Sequence, residues 1–281
     1  MKLVRFGEKG QERPGILDGE GRIRDISQIV PDIAGDVLTP EGLAALRGLD
    51  LASLPLAPEG ARIGPCVGGV GKFVCIGLNY RDHARESGMA IPSEPVVFNK
   101  WTSAICGPDD DIVKPRGSDR MDWEVELGVV IGKGGVYISE AEALDHVAGY
   151  CVVHDVSERS FQFDRGGTWD KGKGCDTFGP IGPWLVTPDE APALDDMRLW
   201  LEVDGERVQD GTTAEMIFPV AAIISHLSQF MSLQPGDVIS TGTPAGVGLG
   251  FDPPRFLSAG QAVRLGIEGL GEQNQRVVAA G

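Results

Sequence analysis

A chain of 281 residues with a formal net charge of −16 has material for one large domain, or a large and a small one, and is repelled by nucleic-acid phosphates. Hydrophobic residues at 42% are ordinary for a soluble globular protein, while the 40 glycines, about twice the usual ~7%, lie between short apolar runs as turn-rich β structure places them. Five cysteines (Cys66, Cys75, Cys106, Cys151 and Cys175) without a CxxC pair argue against a disulfide framework or a cysteine-rich zinc site and for a reducing cytoplasm; no apolar run reaches 18 residues and the N-terminus has no apolar h-region, so neither membrane insertion nor secretion is expected.

Residues 2–30 hold short runs (KLVRF, GILD, RIRDIS) split by glycine, proline and charge, and read as a small β meander. Thr39 followed by Pro40 reads as the N-cap and first position of a helix reaching about Arg47. The stretch 54–71, dense in proline and glycine, reads as the connection between a small N-terminal domain (1–66) and the main one (67–281). From Phe73 onward strand-length apolar runs recur: FVCIGLNY, LGVVIG, AGYCVVHDV, IGPWLVT, LWLEVDG and DVISTGT. Two helical segments interrupt them. Ser139 with Glu142 makes a capping-box pattern before ALDHVA, and 219–231 opens on Pro219 with Val220, Ile223, Ile224, Leu227 and Met231 at helical spacing. The fold class expected is β-dominated α+β.

The run MDWEVELGVVIG, 121–132, carries Glu124 and Glu126 inside apolar surroundings. Alternation along a strand points both to one side, ~6.5–7 Å apart. Parallel carboxylates repel unless a cation lies between them or one is protonated; a solvated edge-strand face is the plainer alternative. In AGYCVVHDVSERSFQ an apolar strand ends on Asp155, which is either a third ligand facing a cleft or a cap of the following turn. Three carboxylates plus waters suit Mg²⁺. None of the four histidines has a zinc-ligand spacing, and His154 points away from Asp155 as a structural residue.

In GLNYRDHARESGM, 77–89, Asn79 can cap a short helix that Gly88 ends, and His83 and Glu86 share a face at i, i+3. Such a pair can share a proton and activate water, or it can belong to a surface ion-pair helix with Arg81, Asp82 and Arg85. The segment GTWDKGKGCDTFGP, 167–180, carries Lys171 and Lys173 but lacks the ending of a phosphate loop; a lysine there could stabilise an oxyanion. STGTPAGVG, 240–248, offers hydroxyls and free N–H groups able to bind a carboxylate, or is only a turn.

In this order, IGLNYRDHARE, DWEVELGVVIG, DVSERSFQ, DKGKGCDTFGPIGPW and STGTPAGVG resemble the fumarylacetoacetate hydrolase family over about residues 72–270. The resemblance implies a mixed β-sandwich roll, usually dimeric, here with the small N-terminal β domain. It places the metal ligands on Glu124, Glu126 and Asp155, with Mg²⁺ (or Mn²⁺ or Ca²⁺). It puts a water-activating pair on His83 and Glu86 in a lid, the active-site lysine on Lys173, and substrate contacts on Arg159, Gln162 and Thr243. It further implies hydrolysis of a C–C bond in a small anionic 2,4-diketo acid by a cytoplasmic homodimer. The whole chain looks like a subgroup acting on 2,4-diketo-3-deoxy-L-rhamnonate or -fuconate, often labelled ureidoglycolate lyase. Ureidoglycolate cleavage, oxaloacetate-type decarboxylation and a non-catalytic oxo-acid binding protein are the alternatives.

Overall fold

The runs rich in β-branched residues all become strands in the computed structural model, which describes residues 1–281. The N-terminal meander is β1 (Lys2–Phe6), β2 (Arg13–Leu17) and β3 (Ile23–Asp25). The middle of the chain gives β4 (Phe73–Gly77), β5 (Val96–Lys100), β6 (Ile105–Cys106), β7 (Ile112–Lys114), β8 (Met121–Asp122), β9 (Val125–Ile131), β10 (Val147–His154), β11 (Ser157–Glu158) and β12 (Gly179–Val186). The rest gives β13 (Arg198–Val203), β14 (Glu206–Thr212), β15 (Val238–Ser240), β16 (Ala262–Ile267) and β17 (Gly271–Ala279). The helices are short: α1 (Pro40–Arg47), α2 (Arg81–Glu86), α3 (Arg159–Phe163), α4 (Asp170–Lys173) and α5 (Val220–Leu227). None is long and apolar enough to cross a membrane.

Two sheets face each other. A ten-stranded mixed sheet runs β3-β2-β1-β12-β10-β9-β15-β4-β5, with β6 paired to β12; a five-stranded sheet runs β14-β13-β16-β17-β7. This is the expected β-dominated sandwich of mixed pairing. Alternation explains how one strand serves two cores. Along β9, Val125, Leu127, Val129 and Ile131 enter the core between the sheets, with Leu199, Leu201 and Leu265 opposite. Val130, and Cys151 and Val153 of β10, enter a second core on the outer face of the large sheet. Leu3, Ile16, Ile33 and Leu43 of the N-terminal segment fill that second core, and β1 hydrogen-bonds to β12. Residues 1–66 therefore share both a sheet and a core with the rest of the chain.

Thr39 caps α1 as expected, its hydroxyl accepting from the Gly42 N–H. Three local expectations are corrected. Asn79 caps no helix; it is buried, accepts from the Phe218 N–H and donates to the Phe218 and Thr241 carbonyls, so it fastens two distant loops instead. The Ser139 hydroxyl donates to the Glu142 carboxylate rather than capping a backbone, and only a 3₁₀ turn over Ala143–His146 follows before β10 claims Val147 as a partner of Ile131. The last helix stops at Leu227 and leaves out Met231, because the Ser228 hydroxyl folds back to the Ser225 carbonyl and accepts from the Ile138 N–H.

Candidate active site

The cavity opens where β4 and β15, which are parallel, end beside the start of antiparallel β9. Glu126 lies opposite Val153 in the β9–β10 ladder, and the Asp155 N–H donates to the Glu124 carbonyl at 3.0 Å. The register therefore sends Glu124, Glu126 and Asp155 from one face, and their nearest oxygens lie within 4.8 Å of one another. All three are buried. His154, one residue off in parity, points into the core between the sheets with Nδ1 2.9 Å from Gln275 Oε1.

Buried carboxylates need partners. Glu124 accepts from Arg159 Nη2 and from Lys173 Nζ, both at 2.6 Å. Asp155 Oδ2 accepts from Lys173 Nζ at 2.8 Å. Asp155 Oδ1 is ion-paired with Lys100 Nζ at 2.6 Å but receives no aligned hydrogen bond, and that ammonium also donates to the Val156 and Lys173 carbonyls. Glu126 makes no ion pair and accepts only from the Ser240 hydroxyl at 2.5 Å and the Gly242 N–H at 2.8 Å. Burial opposes ionisation of Glu124, but the charges of Lys173 and Arg159 overcome it and hold the carboxyl well below the usual range. Burial, reinforced by the neighbouring Asp155 and Glu124 charges, pushes Glu126 up to about 8. The donor set thus has an unaligned carboxylate oxygen and a carboxyl with no ion-pair partner. A hard divalent cation fits those groups, taking oxygen ligands from Glu124, Glu126 and Asp155.

One cavity of about 300 Å³ is lined by His83, Glu86, Glu124, Glu126, Arg159, Gln162, Lys173 and Thr243, with Asp155 bonded to Lys173 just behind it. The nine residues singled out from the sequence are thereby gathered at one place. Arg159 and Gln162 come from one turn of α3, where i, i+3 spacing lets the guanidinium donate to Gln162 Oε1 at 3.0 Å. Lys173 ends α4. Thr243 is committed, its hydroxyl donating to the Val125 carbonyl while accepting from Gln209. On α2, His83 Nδ1 lies 3.2 Å from Glu86 Oε2, and Glu86 Oε1 accepts from the Gly246 N–H at 2.8 Å. Gly88, at φ +64°, ends that segment as expected. Lys171 is exposed, donates to the Arg165 carbonyl and takes no part.

Two supporting residues escaped the sequence reading. Lys100, its side chain fully enclosed, props both Asp155 and the backbone of Lys173. Asp122 is buried and accepts from Arg159 Nε at 2.8 Å and from the Gly248 and Leu249 N–H groups. Parity could have found both: Lys100 follows Phe98 at period two, and Asp122 precedes Glu124 by two.

The family model described as fumarylacetoacetate (FAA) hydrolase C-terminal matches residues 72–278. A Burkholderia multivorans protein provisionally named a hydrolase is 66% identical over 281 residues, covering 100% of both chains. Among solved structures, 5-carboxymethyl-2-hydroxymuconate delta-isomerase from Mycobacterium smegmatis superposes with a TM-score of 0.79 at 30% identity over 100% of both chains. Maleylpyruvate hydrolase from Sphingobium sp. SYK-6, in complex with manganese(II) ion and pyruvate, gives 0.81 at 27% identity, again over 100% of both chains.

Proposed function

The chain belongs to the fumarylacetoacetate hydrolase family, and from that premise we propose that it hydrolyses a C–C bond in a 2,4-diketo acid of the acylpyruvate type, releasing pyruvate and a second acid. The observation that carries the reading is the convergence of a buried carboxylate triad, a buried lysine and a His–Glu pair on one cavity. The manganese and pyruvate of the maleylpyruvate hydrolase structure support the same combination of divalent ion and 2-oxo acid.

A divalent ion, Mg²⁺ or Mn²⁺, held by Glu124, Glu126 and Asp155 would supply Lewis acidity toward the oxygens of the 2-oxo acid. Gln162 and the backbone N–H of Thr243 orient the substrate carboxylate, while Arg159, already bonded to Asp122, Glu124 and Gln162, fixes that wall. Glu86 Oε2 holds the Nδ1 proton of His83, which leaves Nε2 as the basic ring atom to take a proton from water. The hydroxide adds to the C4 carbonyl, the C3–C4 bond breaks, its electrons form a pyruvate enolate, and C3 takes back the proton held by His83 to give pyruvate. Lys173 spends two of its three ammonium hydrogens on Glu124 and Asp155 and can donate the third to the oxyanion.

The sugar-acid form, 2,4-diketo-3-deoxy-L-rhamnonate or -fuconate, rests on the sequence resemblance. Isomerisation is the second reading, favoured by the likeness to the muconate isomerase, and it would rearrange the substrate without releasing pyruvate. The test is a pyruvate-release assay with Mg²⁺ or Mn²⁺ on acylpyruvates, the two diketo sugar acids, ureidoglycolate and oxaloacetate, with the second product identified. Pyruvate with a carboxylic acid partner, lost on EDTA dialysis and restored by the ion, is expected. Pyruvate from oxaloacetate alone, conversion without cleavage, or full activity after verified metal removal would overturn the proposal.

A further inference from the structure

The inner and outer parts of the cavity differ in chemistry. Its two permanent cations, Arg159 and Lys173, sit at the carboxylate triad and are bonded to it. Moving outward, Lys173 Nζ lies 5.1 Å from the centroid of Phe98, whose ring is 5.4 Å from Trp169, whose ring is in turn 6.2 Å edge-on from Phe163. Exposure rises along that ladder, from 6% at Phe98, through half-buried Trp169, to 47% at Phe163. Met89 at 54% and Leu249 at 38% line the same mouth. Large apolar side chains left open singly are ordinary, but a set of them around one concave mouth marks a surface that an apolar group covers.

Apart from the triad wall with Gln162 and Thr243, the polar side chains lining the cavity are Ser87 and the His83–Glu86 pair, and its two lining cations, Lys173 and Arg159, are both bonded to the triad. A second carboxylate on the distal end of a substrate would meet an apolar wall and the Glu86 carboxylate, with no unpaired cation among the lining residues to offset its lost hydration. A polyhydroxylated chain would lose hydrogen bonds to water that rings and thioethers cannot replace.

We propose that the group this site accepts beyond the 2-oxo acid head is apolar, an alkyl or aryl chain laid against Phe98, Trp169 and Phe163. The inference rests on the 2-oxo acid reading above and departs from the sugar-acid form to which the sequence resemblance points.

Binding without turnover tests it. The Mn²⁺-loaded protein is titrated calorimetrically with pyruvate, 2-oxobutanoate and 2-oxohexanoate, then with two six-carbon probes, 2-oxoadipate and 2-keto-3-deoxygluconate. Affinity should rise about 4-fold per added methylene along the first series, the increment for burying a CH₂. The two polar six-carbon acids should bind no tighter than pyruvate. In Trp169→Ala the rise along the apolar series should shrink. Either polar acid binding as tightly as 2-oxohexanoate, or a flat apolar series with pyruvate still bound, would overturn the inference while leaving the reaction in place. An apolar series that climbs without any cleavage of acylpyruvates would uphold it and remove the hydrolytic reading. No binding of any 2-oxo acid would remove both.

Discussion

Glu124 and Glu126, two residues apart at the start of β9, are held so differently that their removal should have unequal costs. Glu124 answers two buried cations, so Glu124→Ala leaves Arg159 and Lys173 short of a counter-charge. Losing one partner of a buried pair costs about 3–5 kcal/mol. Glu126 answers no cation, only a hydroxyl and an N–H that an amide oxygen can also satisfy. Glu126→Gln should therefore change stability by less than about 1 kcal/mol, within the range for one kept hydrogen bond. Both substitutions should abolish Mn²⁺ binding. Urea unfolding and Mn²⁺ electron paramagnetic resonance measure the two quantities separately, and tight Mn²⁺ binding by Glu126→Gln would take that residue out of the ligand set.

At the scale of elements, the fit between α2 and the loop after β15 decides where the His–Glu pair stands. The Gly246 N–H holds Glu86, and Gly250 leaves room for its stem: a Cβ added there would lie 2.4 Å from Glu86 Cδ and 2.7 Å from Cγ. The clash is with the far end of a flexible side chain, and Gly250 is exposed, so Gly250→Ala should cost under about 0.5 kcal/mol in stability, as surface substitutions usually do. It should still displace Glu86 and slow turnover. His83→Ala removes the base itself and should cost at least ~10²-fold in kcat, with Mn²⁺ affinity unchanged. If His83→Ala keeps kcat within a factor of two, the pair does not activate water. If Gly250→Ala is as fast as the parent, the loop does not position it.

For the whole molecule, the buried seam between the two sheets carries a titratable group away from the cavity. Burial lowers the His154 imidazole to about 4, while an unfolded chain protonates it near its ordinary 6.5. Above 6.5 neither state holds the proton and the residue is neutral to stability. As pH falls from 6.5 toward 4 the unfolded state gains a proton that the folded state refuses, so stability drops, by roughly 3 kcal/mol when the window has been crossed. His154→Gln carries no such proton. Thermal unfolding followed from pH 7 to 4.5 should show the parent losing more stability than this variant. Parallel curves would mean that His154 is protonated in the folded protein as readily as in the unfolded one.

The period-two alternation of MDWEVELGVVIG and the parity of HDV were enough to put Glu124, Glu126 and Asp155 on the faces they occupy, because side-chain direction along a strand is a local property of the backbone. The strand runs and the helix caps at Thr39 and Gly88 were legible for the same reason. Which strands become neighbours is not local. The antiparallel β9–β10 ladder sets Asp155 against Glu124, and loop packing brings Lys100 and Asp122 beneath the site from distant or separately paired segments. Asn79 shows the same limit from the other side: it carries a good local cap signal, and its side chain is taken by the Phe218 backbone 139 residues away. The aromatic ladder from Phe98 through Trp169 to Phe163 joins β5 to a segment more than sixty residues further along the chain, so the sequence determined that a carboxylate site exists, and only the tertiary structure decided what surrounds its mouth.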